Sequence, residues 1–182
     1  MSRSCSPGPI APFDVLLLLS CSLGLVASCS DENAALAAAP PRAPVLFTTV
    51  GECPLDAASG AGAERLERRG RIRIERYPYD AQDGVRGVML MQHAVACYRA
   101  AGLDAAATRL DARVTRLAAK LESDFAAARV AFEHALTRGR IRIASALGRK
   151  LLAMTEHVAS NSYVDWLEAQ TARVFADEGH SQ

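Results

Sequence analysis

From Ala105 to Arg138 the chain contains neither glycine nor proline. Along this stretch Leu110, Val114, Leu117, Leu121, Phe125, Ala128, Phe132 and the pair Ala135-Leu136 recur at spacings of three and four. That is the stripe of an amphipathic helix with a 3.5-like period. At 1.5 Å per residue such a helix reaches about 50 Å. An apolar stripe of that length needs partner elements along all of it, so the rest of the chain must supply them. The expected fold class is therefore all-α, an antiparallel helical bundle or a short helical-hairpin array around one long helix (about 105–138). Composition agrees: 35 of the 182 residues are alanine and only 5% are aromatic. Small side chains at helix contacts let axes approach near the lower end of the usual range of about 8–10 Å.

The flanking segments supply the partners. Asp80, with Asp83 three residues on, reads as the N-cap and acidic first turn of a helix running to about Ala101. Val85, Val88, Met89, Val95 and Ala96 form its expected face, Gly102 ends it, and Asp104 is expected to cap the long helix. Beyond Gly139 the residues Ile141, Ala144, Leu147, Leu151, Met154 and Val158 mark a helix that doubles back across a short connection. Ser160 or Ser162 is expected to cap a last helix carrying Tyr163, Trp166, Leu167 and Val174. Residues 64–76 permit two readings. Arg71-Ile72-Arg73-Ile74 alternates like a strand, whereas the Glu/Arg mixture reads as a solvated helix ended by Pro78, with Gly70 as its weak point. The helix is the preferred reading.

The N-terminal segment carries a different kind of signal. The apolar run from Val15 to Ala27 is thirteen residues long, whereas spanning a bilayer takes about 20. Signal-peptide hydrophobic regions are about 7–15 residues long. The run ends in Val26-Ala27-Ser28-Cys29, which resembles the lipobox of bacterial lipoprotein precursors; Leu18-Leu19-Ser20-Cys21 fits that pattern less well. The resemblance implies that Cys29 is diacylated on sulfur, the segment before it is removed, and the new amino terminus is acylated. Three acyl chains give firm attachment, since one alone is marginal. Ser30 after the cysteine implies an outer rather than an inner membrane, facing the periplasm or the surface. An ordinary secretory signal cleaved near Ala27 and an uncleaved anchor are the alternatives.

The expected organisation is a signal peptide at 1–28, a lipidated cysteine with a low-complexity tether at 29–62, and a helical domain at 63–182. Pro40-Pro41 and Pro44 oppose helix within the tether. Val45-Leu46-Phe47-Thr48-Thr49-Val50 has strand-like character and is expected to pack onto the domain as an extended arm. Five cysteines reduce to Cys53 and Cys97 once the signal is removed and Cys29 is lipidated. An even pair in an oxidising compartment points to one disulfide, and two isolated thiols are the other reading.

Two fragments of the helical region resemble tetratricopeptide repeats. Tyr98, Gly102 and Ala107 match the spacing of that family's helix–turn–helix markers, and Phe125, Ala128, Phe132 and Ala135-Leu136 resemble its second helix. Ala107 and Ala128 are 21 residues apart, where the repeat period is about 34. A bundle with similar small-residue packing is expected instead.

With 21 basic against 20 acidic residues, the chain lacks the basic excess of a nucleic-acid binder. His93, His134, His157 and His180 show no metal-ligand spacing on one helix, although a hairpin could bring His134 and His157 together. No GxSxG, phosphate loop or CxxC occurs. No catalytic, cofactor-binding or metal-binding residues are therefore assigned. Tyr163 and Trp166 are candidates to line a groove for a peptide or glycan, with core packing as the competing account. The expected function is that of a membrane-anchored envelope lipoprotein whose helical domain is a scaffold or adaptor for a protein or cell-wall partner. An enzyme or enzyme accessory acting on envelope polymers, and a small helical ligand sensor, are the alternatives.

Overall fold

The structure is a computed structural model and describes residues 40–48 and 52–180, with side chains as far as Ala176. The hydrophobic run and the Val26-Ala27-Ser28-Cys29 motif lie outside the described residues. After a 3-10 turn at Leu55–Ala57 come five helices: α1 (Gly60–Arg76), α2 (Ala81–Ala100), α3 (Asp104–Thr137), α4 (Ile141–Thr155) and α5 (Ser162–His180). The described residues contain no strand. The architecture is an antiparallel helical bundle, each helix packing on the next and α2 also touching α4.

Helix lengths explain this arrangement. The 34 residues of α3 make about 50 Å of helix, more than any single partner here can cover. The 20 residues of α2 and 15 of α4 come to about the same length when laid end to end. Both pack on α3, with α2 over its N-terminal half and α4 over its C-terminal half. Their facing ends meet above the middle of α3, where Arg86 Nη2 of α2 lies 3.0 Å from Glu156 Oε2 just past α4. Helix α1 backs α2. Helix α5 backs α4 and reaches α3 through Tyr163 on Phe125 and Trp166 on Phe132. Two three-helix units thus share one long helix, and a seam runs between them.

The stripe of α3 is buried as expected at Leu110, Val114, Leu121, Phe125, Ala128, Phe132 and Ala135, while Leu117 and Leu136 are half-buried. Gly102 and Gly139 end the helices before them in left-handed conformations, φ 69° and 61°, which glycine adopts without a Cβ penalty. Asp80 caps α2, its Oδ1 accepting from the Gln82 amide at 2.9 Å.

Several local expectations are corrected. Leu103 precedes α3 without a side-chain cap, and Asp104 is the helix's first residue, where its charge complements the dipole. Neither serine caps α5; Asn161 Oδ1 accepts from the Tyr163 amide at 2.9 Å. Val158 lies beyond α4, its N–H bonded to the Thr155 carbonyl. On α2 the buried residues include Met91 and Ala94, and Met89 is only half-buried. The expected single face of α2 is too narrow because α1, α3 and α4 all cover this helix.

Gly70 is a contact rather than a weak point. A Cβ there would lie 2.9 Å from the Gly87 carbonyl oxygen and 2.5 Å from Met91 Cγ. Side-chain-free backbone on both helices thus lets α1 and α2 approach closely. Asp83 of α2 is buried and ion-paired with Arg73 and with Arg76 Nε, the latter at 2.7 Å. These bonds satisfy a carboxylate that burial alone would destabilise.

Residues 40–48, expected within the tether, include the packed part of the arm. Leu46 is buried, its N–H donates to Glu122 Oε1 at 2.8 Å, and His157 Nε2 donates to its carbonyl at 2.6 Å. Phe47 stacks on the His157 ring and Gln92 donates to the Thr48 carbonyl. The arm thus ties α2, the middle of α3 and the end of α4 together across the seam.

Candidate functional site

The seam opens as a cleft of about 630 Å³. Its walls are the α1–α2 turn (Tyr77 to Ala81), Lys120 and Asp124 of α3, and Arg149, Lys150 and Ala153 of α4. It exists because two short helices abut over a long one and the turn before α2 does not fill the junction. Glu122, which holds the arm, and Asp124, which lines the cleft, are two residues apart and so about 200° apart around α3. The arm covers one side of the seam and leaves the other open.

Asp124 organises the cleft. Tyr77 donates its hydroxyl to Asp124 Oδ2 at 2.6 Å, and Lys120 Nζ, one helical turn back, sits 2.7 Å from the same oxygen. Lys120 Nζ also lies 5.6 Å from the centre of the Tyr77 ring. The Lys120 bond, followed by that from Tyr77, holds the Asp124 carboxyl below the usual carboxylate range. Burial, reinforced by the bond to Asp124, pushes the Tyr77 hydroxyl far up. At neutral pH the first group is firmly ionised and the second firmly protonated. Tyr77 and Lys120 thus hold a charged acceptor in place on the cleft wall.

The cations across the cleft are less constrained. Arg149 and Lys150 are exposed, and among the described residues neither makes a contact ion pair, though the Lys150 charge helps to lower the Asp124 carboxyl; the Arg149 guanidinium lies 5.4 Å from the Phe175 ring centre. Tyr79 at the rim is 93% exposed, so its ring is free on both faces. Tyr77, Tyr98 and Tyr163 are each packed or hydrogen-bonded.

The aromatic pair singled out in the sequence lies elsewhere. Tyr163 is fully buried, edge-on to Phe125, with the Arg129 guanidinium 5.0 Å from its ring centre. Trp166 is half-buried, edge-on to Phe132 at 6.1 Å. Both pack against the rings of α3, the account that competed with a groove, and neither is among the residues of the cleft at the seam. His134 is exposed in the last turn of α3, and His157 is engaged by the arm.

The two cysteines do come together. Cys53 and Cys97 form a disulfide, their Cα atoms 4.7 Å apart across a sequence separation of 44. The bridge fastens the segment before α1 to the buried C-terminal turns of α2. The cleft itself was not found from sequence, since its residues come from three distant segments. One signal was present: the chain has only two lysines, Lys120 and Lys150, and both line the cleft.

Comparison with protein-family models, with curated proteins and with solved structures returns no match to this chain.

Proposed function

We propose that the chain is a bacterial envelope lipoprotein, anchored through Cys29 in an outer membrane, whose helical body is a binding domain for a cell-wall or protein partner. The observation that carries this reading is the pairing of Cys53 with Cys97 in a chain whose other cysteines lie in the apolar leader or at the lipobox. Disulfides persist outside the reducing cytosol, the side of the membrane to which a lipobox directs a protein. A binding role is supported by the cleft, where Tyr77 and Lys120 hold the Asp124 carboxylate in a fixed position. Arg86–Glu156 and the arm hold its two walls together, so the surface offered to a partner is preorganised.

Growth with alkyne-tagged palmitate tests the anchor. The wild-type chain incorporates the label and fractionates with membranes, while Cys29→Ser accumulates as an unlabelled, unprocessed precursor. Label retained by Cys29→Ser, or none in the wild type, refutes the anchor.

A further inference from the structure

We infer that the cleft between the α1–α2 turn, the middle of α3 and the C-terminal half of α4 binds a carboxylate-bearing glycan. This deepens the proposed role by naming the ligand class and rests on the reading of the helical body as a binding domain. The charges of the cleft partition unevenly. Lys120 is spent on Asp124, and Asp80 is spent on capping α2. Arg149 and Lys150 remain, adjacent in sequence and exposed; neither makes a contact ion pair among the described residues, although the Lys150 charge is felt by Asp124 across the cleft. A guanidinium presents a planar fork that matches a carboxylate, and an ammonium adds a second donor set.

Three features select a sugar acid over other anions. Tyr79 offers a bare ring at the rim, an apolar platform of the kind on which the C–H face of a pyranose packs, with a hydroxyl at its end. Asp124 keeps Oδ1 free of any bond among the described residues while Oδ2 takes both Tyr77 and Lys120, so an acceptor for sugar hydroxyls is already ionised in place. The cleft is open along the seam, which suits a polymer passing through it better than an enclosed small molecule.

The test is calorimetric titration of the full chain in detergent with a galacturonic-acid tetramer. A glucose tetramer, a tetraglutamate peptide and inorganic phosphate serve as comparison probes. The galacturonate is expected to bind most tightly. Arg149→Gln/Lys150→Gln should weaken it at least about tenfold, the loss of charge-assisted bonds, and Tyr79→Ala by several-fold. Arg65→Gln, on the exposed outer face of α1, should leave binding unchanged. All four positions are exposed, so circular dichroism of the variants should match the wild type. No heat with galacturonate at millimolar concentration overturns the inference. So does equal binding of the neutral tetramer, of tetraglutamate or of phosphate, or an Arg65→Gln effect as large as that of the double variant. None of these outcomes bears on palmitate labelling, so the ligand and the anchor fail separately.

Discussion

Reducing the bond between Cys53 and Cys97 is the sharpest perturbation of this fold. The bridge closes a loop that contains all of α1 and most of α2, with 44 residues of sequence separation. In the chain-entropy account a loop of that size stabilises the folded state by about 4 kcal/mol, because the unfolded chain loses the freedom to separate those ends. Against a total stability of about 5–15 kcal/mol this is a large share. For a helical body of this size it corresponds to a fall in Tm of about 10 °C. The assay is thermal unfolding followed by circular dichroism, with and without reductant, alongside Cys53→Ser. Cys53 is the better position to replace, because Cys97 is fully buried on α2 and its substitution would add a packing defect. Mass spectrometry after alkylation must show both thiols freed in the reduced sample. If Tm then falls by less than about 2 °C, the loop entropy assigned to the bridge is wrong.

Three further outcomes follow from the packing and the ionisation states. Gly70→Ala gains about 1 kcal/mol of helix propensity but places a Cβ 2.9 Å from the Gly87 carbonyl oxygen. Overpacking of about 1–3 kcal/mol then dominates, so the urea midpoint should fall; a rise would show that α1 and α2 are not in close contact. Leu46→Ala should cost about 2–4 kcal/mol and expose the arm to limited proteolysis, whereas unchanged stability would return residues 40–48 to the tether. Burial, then the hydrogen bond to Glu67, pushes the Tyr98 hydroxyl from 10.0 up to about 12. Its folded-state pKa lies above the unfolded one, so its contribution to stability is complete below about pH 10 and is lost as pH rises through about 12. Tyrosine absorbance should show this late ionisation, and Glu67→Gln should bring it only partway down because burial is the larger cause. No movement in that variant would refute the bond.

What was legible in the sequence was mostly local. The apolar stripe of α3, the breaks at Gly102 and Gly139, the Asp80 cap and the doubling back of α4 all depend on residues within a few positions of one another. The misreadings share a different cause. Asn161 rather than Ser160 or Ser162 caps α5, a choice among neighbouring polar side chains that spacing does not separate. Met91 is buried where Met89 was expected, because the number of helices surrounding α2 is not written in α2. For Tyr163 and Trp166 the sequence left groove and core both open, and the rings of Phe125 and Phe132, on another helix, are what lie against them.

By itself, then, the sequence determined that the body is helical, that one helix is too long for any single partner, and that only Cys53 and Cys97 of the five cysteines lie beyond the first thirty residues. These properties arise from periodicity, from glycine and proline placement, and from counting. Only the tertiary structure decided that α2 and α4 meet over the middle of α3, that the arm closes one side of their junction, and that Tyr77, Asp124, Arg149 and Lys150 share the other. Tyr77 and Lys150 are 73 positions apart and Lys150 is 104 from Leu46 of the arm, and their meeting is set by summed helix lengths and by glycine-mediated approach. No local pattern encodes either of them.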